Sequence, residues 1–203
     1  MHNIQINPAS NRDAEAAAAL TFMAYHRFSY DILGDVGEES ARLYFKKLWL
    51  YGHNRFGRRF SYISKVDGKA VGLMTCYPAG MLTKLAVTTI GQLVLIGKFR
   101  FIRHFCTHLL NFYAFASGSE ANSDDFYVST LSVLPEYRGK GIGTEMLRYA
   151  RKIARVQNYK RCVLHVNAEN ESGIRFYEQN GFEKSITPSH KEKPVYFRMV
   201  YSF

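Results

Sequence analysis

The chain has 203 residues, 47% hydrophobic and 15% aromatic, which excludes general disorder and supplies a core burying roughly 70% of the unfolded surface. Three cysteines, Cys76, Cys106 and Cys162, show no Cys-x-x-Cys spacing, so neither a disulfide scaffold nor a cysteine zinc module is expected, and a reducing, cytoplasmic setting is. The formal net charge of +10 would attract polyanions: nucleic acid, an acidic membrane face or a phosphorylated cofactor.

Residues 1–13 are polar apart from Ile4 and Ile6, so no secretory leader is expected. Alternation over Asn3–Asn7 predicts a short strand. Ser10-x-x-Asp13 ahead of an Ala-rich run to Tyr25 predicts an N-capped helix, and a second helix spans about Glu38–Tyr51, closed by Gly52. Strands Ser61–Val66 and Lys69–Cys76 flank Asp67-Gly68, a two-residue hairpin signal. Residues 80–120 are apolar, basic and aromatic, with helix expected from about Phe99 to Phe115. Their longest apolar stretch, Leu85–Gly97, is interrupted by Thr88, Thr89 and Gln92 and followed by Lys98 and Arg100, too short and too charged at its end to span a bilayer. Phe126–Leu134 reads as a strand stopped by Pro135. Over 144–157, Met146, Leu147, Ala150, Ile153 and Ala154 form an apolar stripe opposite a basic face. A buried strand (Cys162–Val166), a helix (Asn170–Gln179, ended by Asn180-Gly181) and two strands (Phe182–Ile186, Val195–Tyr201) complete a mixed α/β order. With no repeat or linker, residues 1–203 read as a single domain carrying an unusual insertion at about 80–120.

The positive charge is concentrated. Gly68–Ser119 holds five basic residues and no acid, and Arg138–Arg161 holds eight basic residues against Glu145 alone. The second segment opens with Arg138-Gly139-Lys140-Gly141-Ile142-Gly143, set between a strand and a helix. Its glycines let backbone N–H groups approach a ligand, and the following helix start adds unpaired N–H groups and a positive dipole end. Together they make an anion cradle suited to a pyrophosphate. Gly139-Lys140 is followed by Gly141 rather than Ser or Thr, which excludes a Walker loop. The sixth position from Gly139 is Thr144, which excludes a dinucleotide fingerprint.

Leu131-Ser132-Val133-Leu134-Pro135-Glu136-Tyr137-Arg138-Gly139-Lys140-Gly141-Ile142-Gly143, followed by Asn170, Phe176-Tyr177-Glu178 and Asn180-Gly181-Phe182, resembles the GNAT superfamily of acyl-CoA-dependent N-acetyltransferases. The resemblance covers about residues 126–186; residues 1–76 agree in element order only. It implies an α/β (α+β) fold with a mixed, mostly antiparallel twisted sheet, a splayed central parallel pair and flanking helices. It implies acetyl-CoA as cosubstrate, without a metal. The main chain of Leu131, Ser132 and Val133 would pair with the pantetheine arm. The loop amides of Arg138, Gly139, Lys140, Gly141, Ile142 and Gly143 would hold the pyrophosphate, with a hydroxyl from Thr144. Asn170 would contact the pantetheine and Tyr177 would sit near its sulfur. Asn170 and Tyr177 are seven residues apart, about 20° short of two helical turns, so they would share a face about 10.5 Å apart.

The reaction implied is acetyl transfer to a primary amine by direct attack on the thioester. A strand N–H would stabilise charge developing on the thioester oxygen, and Tyr177 would protonate the leaving thiolate. The general base is left open: Asp124 and Asp125 lie far back on the strand, while Asp31, Asp35, Glu38 and Glu39 lie in the region that usually lines the acceptor site. His104 and His108, four apart, read as a helix surface, and His165 as a satisfied core histidine. Phe22, Tyr25, Phe28 and Tyr30 could shape an acceptor pocket, but such a stripe reads more readily as core. The insertion could be an acceptor lid, a dimer surface or a membrane-facing patch. Expected partners are a small-molecule or peptide amine, with a homodimer open, no nucleic acid and no stable membrane insertion. The rivals are a non-catalytic acetyl-CoA sensor of the same fold and a basic nucleic-acid or membrane binding module.

Overall fold

The computed structural model describes residues 4–117, 121–185 and 195–203. Seven strands, β1 (Ile4–Pro8), β2 (Ser61–Val66), β3 (Lys69–Pro78), β4 (Phe126–Val133), β5 (Arg161–Asn167), β6 (Glu183–Ser185) and β7 (Tyr196–Ser202), form one sheet in the order β1-β2-β3-β4-β5-β7-β6. Every neighbouring pair is antiparallel except β4 and β5. That parallel pair matches only at Phe126–Cys162 and Tyr127–Val163, after which the strands part. The sheet is therefore mixed, mostly antiparallel and split at its centre. The β2–β3 turn has φ of 50° at Asp67 and 79° at Gly68, the left-handed pair that a two-residue hairpin needs. Asn3 and Ile186, expected at strand ends, lie outside the described residues, as does the side chain of Phe28.

Helix α5 (Ile142–Val156) covers one face. Its Met146, Leu147, Ala150 and Ala154 are buried with Val71, Met74 and Cys76 of β3, Phe126 and Val128 of β4, and Cys162 and Leu164 of β5. Helix α6 (Glu171–Gln179) closes this core with Ile174. The other face carries α1 (Ala14–Leu33) and α2 (Glu38–Tyr51), as well as the insertion. Helix α1 runs past its expected end at Tyr25. That residue departs from helical geometry (φ −112°, ψ 17°), and the chain resumes the helix to Leu33.

The insertion differs most from expectation. Its helix starts not near Phe99 but at Leu82, so the stretch read as too short belongs to α3 (Leu82–Thr107), followed by α4 (Leu109–Ser117). Leu93 and Phe101 are buried with Phe22, Phe45, Phe112 and Phe115 in a core shared by α1, α2 and α4. α3 is broken at Lys98, whose φ of 48° is left-handed. The preceding Gly97 is tightly held: a Cβ there would lie 2.6 Å from both Phe101 Cβ and Tyr44 Oη. The bend turns Phe101 into the core, a tertiary requirement that overrides continuous helix periodicity.

Candidate acyl-transfer site

The site is built where β4 leaves β5. Thr75 pairs with Thr130 but Cys76 pairs with Val128, so Ser129 is an extra residue on β4. This bulge reverses the alternation. Before it Phe126 and Val128 face the α5 core; after it Leu131 and Val133 do. Leu134 N–H donates to Val71 O on β3 (2.9 Å). By strand alternation, the main-chain groups of Leu131 and Val133 turn away from β3, into the gap left by β5.

At the end of β4, Pro135–Tyr137 makes a single tight turn, and Gly139 (φ 72°) and Gly141 (φ 79°) reverse the chain into α5. Gly141 is the N-cap of α5, and no side chain caps the helix. The first-turn N–H groups of Ile142, Gly143 and Thr144 therefore lack intrahelical acceptors. A Cβ at Gly139 or Gly141 would meet nothing within 4 Å, so the loop surface is open. Gly143 has a different duty: a Cβ there would approach Phe176 Cζ to 2.9 Å, so it lets α6 pack close. Lys140 lies with Nζ 4.9 Å from the Tyr137 ring centre, beside the loop. Arg138 folds back. Its Nε donates to Val133 O (3.0 Å) and its Nη2 to Met23 Sδ (3.7 Å), so its side chain braces the end of β4.

Asn170 caps α6: Oδ1 accepts from Gly173 N–H (2.9 Å) and Ser172 Oγ (3.0 Å). Its side-chain carbonyl is thus occupied by the start of α6. Tyr177 is half-buried between the rings of Phe176 (5.3 Å) and Phe182 (6.1 Å). Burial, reinforced by Tyr25, pushes its phenol up to about 12. The proton therefore stays on Tyr177 throughout the physiological range.

Two further contacts were not legible in the sequence. Tyr25, at the break in α1, donates to Ser129 O (2.5 Å), accepts from Thr130 Oγ1 (3.0 Å) and lies 3.1 Å from Ser129 Oγ, tying α1 to the bulge. His165 of β5, read from sequence as core, stands two residues beyond the last β4–β5 pair, with Nδ1 3.5 Å from Tyr127 Oη. Only the parallel pairing brings these two together. Asp125 is fully buried and accepts from Arg161 Nε (2.5 Å) and Arg198 Nη2 (2.7 Å), while Asp124 accepts from Arg161 Nη2 (3.2 Å). Both are structural anchors at the base of the gap. Glu38 pairs with Arg42 (2.5 Å). His108 Nδ1 lies 3.0 Å from His104 O, and no group of three metal-ligating side chains occurs among the described residues.

A sheet split at a parallel pair, with a glycine-opened helix start at the mouth of the split, is the architecture that the sequence resemblance implied. A profile described as Acetyltransferase (GNAT) family matches residues 26–182, and the chain belongs to that family. N-alpha-acetyltransferase 50 of Danio rerio is 41% identical over 75 residues, 36% of this chain and 45% of that protein, so the match spans less than half of that relative. The crystal structure of an N-acetyltransferase from Staphylococcus aureus Mu50 superposes with a TM-score of 0.72 at 17% identity, covering 97% of this chain and 100% of that one. Arabidopsis thaliana Naa50 in complex with the bisubstrate analogue CoA-Ac-MVNAL gives a TM-score of 0.51 at 18% identity, with 98% and 99% covered.

Proposed function

We propose that this chain transfers an acetyl group from acetyl-CoA to a primary amine by direct attack on the thioester. The uncapped, glycine-opened start of α5, beside the stretch of β4 that β5 no longer pairs beyond Tyr127, carries this reading. The residues fit the cosubstrate. The amides from Arg138 to Thr144 suit the pyrophosphate, the main chain of Leu131 and Val133 suits the pantetheine amides, and Asn170 Nδ2 suits one further contact. Acetyl-CoA supplies an activated thioester, and most of the rate then comes from holding the amine against it.

An aliphatic amine must lose a proton before it attacks. His165, with Tyr127 beside it at the fork of β4 and β5, takes that proton, since the carboxylates at the base of the fork are held by Arg161 and Arg198. Tyr177, a neutral phenol, donates to the departing thiolate and recovers the proton that the nitrogen sheds as the tetrahedral adduct collapses to the amide. The peptide-bearing analogue bound by the Arabidopsis protein supports a peptide α-amine as the first acceptor class to try.

The test is thiol release from acetyl-CoA across panels of peptides and small amines. Tyr177→Phe lowers kcat far more than it weakens CoA binding, and His165→Gln lowers kcat with CoA binding retained. Saturable CoA binding with no thiol release for any amine would establish the sensor reading instead.

A further inference from the structure

The α3–α4 hairpin exposes a surface that neither the sheet core nor the acyl-transfer site uses. Rings of Phe101, Phe105 and Phe112 pack against one another at 4.8–6.4 Å on its inner side. The hairpin's exposed surface is strongly apolar: Leu110 is 84% exposed, Phe99 78%, Tyr113 75% and Leu95 65%, with Ile102 and Leu109 also exposed. Phe99, Ile102, Arg103 and Cys106 fall on one face at helical spacing, opposite Phe101 and Phe105. Scattered exposed apolar residues need no explanation, but six between Leu95 and Tyr113 on two packed helices do.

Charge indicates the occupant. Lys84, Lys98 and Arg103 are exposed on the same hairpin, and the sequence has no acid from Gly68 to Ser119. Arg100, also exposed, donates from Nη2 to Asp35 O (2.5 Å), and His104 Nε2 lies 2.9 Å from Asp31 O, so Asp31 and Asp35 meet the hairpin through their main chain. A second copy docked about a two-fold axis would set these cations against themselves. A nucleic acid would find phosphate contacts but no use for the leucines and isoleucine. An anionic lipid surface satisfies both features: acyl chains take the apolar side chains, and headgroups take the lysines and arginine. By length and composition, Ala79–Thr107 could cross a bilayer. However, Leu82, Leu85, Ala86, Thr89, Leu93 and Phe101 are buried in this fold and Lys98 breaks the helix, so the segment lies on the surface.

We propose that the outer face of the α3–α4 hairpin docks this protein on an anionic membrane surface, peripherally and reversibly. This does not depend on the transferase reading. The test is flotation of the full chain with vesicles of phosphatidylcholine alone and of equal parts phosphatidylcholine and phosphatidylglycerol. Binding is expected on the anionic vesicles, weakening as salt rises. Phe99→Ser and Leu110→Ser each reduce it about tenfold, and Arg103→Gln about fivefold. All three side chains are exposed, so folding tolerates these changes. A polarity-sensitive dye on Cys106, the exposed thiol, shifts to the blue on the anionic vesicles and not with duplex DNA. Three results would overturn the proposal: no flotation with phosphatidylglycerol, flotation undiminished in the double serine variant, or a solution dimer that those two substitutions dissociate.

Discussion

Gly141 and Gly68 provide a matched pair of substitutions for the pyrophosphate cradle. Both have φ of 79°, and a Cβ at either would meet nothing within 4 Å. One opens α5; the other turns the β2–β3 hairpin. Alanine in this left-handed conformation costs about 1–2 kcal/mol at either place, so both variants should lose about 2–8 °C of melting temperature. Their ligand behaviour should diverge. Gly141 is the N-cap of α5, so a methyl there adds bulk at the helix start to which the phosphates are assigned. Losing one charge-assisted hydrogen bond there costs about 1.5–3 kcal/mol, or about 10–150-fold in affinity. Calorimetric titration with CoA should show that weakening for Gly141→Ala and wild-type affinity for Gly68→Ala, with thermal melts confirming equal destabilisation. Gly141→Glu, which adds a negative charge to the cradle, should abolish binding of both CoA and acetyl-CoA. Equal affinity in the two alanine variants would refute the assignment of the α5 N-terminus to the phosphates.

Three other expectations concern the frame around the site. Asp125→Asn leaves two guanidinium groups facing a neutral amide at the base of the β4–β5 fork and should cost about 3–5 kcal/mol in urea unfolding; a change below about 1 kcal/mol would show that Arg161 and Arg198 are satisfied without it. Burial pushes Cys162 up to about 12 and raises Cys76 well above its ordinary range, so a maleimide at neutral pH should label Cys106 alone until denaturant is added. Burial alone would raise the Asp13 carboxyl, but Lys65 and the Ser10 hydroxyl and amide outweigh it and hold it below the ordinary value of 3.8. Its stabilising contribution is therefore present above that value and lost as pH falls through the lower folded value. In acid titrations followed by circular dichroism, Asp13→Asn should flatten the stability curve in that window.

Features set by local backbone chemistry were legible in the residues. Asp67-Gly68 specified its hairpin, Gly52 the end of α2, and the three glycines after Arg138 an anion cradle at a helix start, because positive φ and bare amides follow directly from residue type. The stripe of Met146, Leu147, Ala150 and Ala154 announced the buried face of α5 in the same way. Features that depend on distant partners were not legible. The break at Lys98 exists because Gly97 must pass close to Tyr44 and Phe101 must enter a core shared by four helices. The Arg138 side chain donates to the carbonyl of Val133, a partner set by the fold of the loop and not by residue type. The pairing of Tyr127 with His165 joins residues 38 apart, and the bulge at Ser129 is visible only against the register of β3. Each is decided by which strand or helix lies alongside, information that hydrophobic periodicity does not carry, because the same alternation suits a strand in either orientation and beside any neighbour.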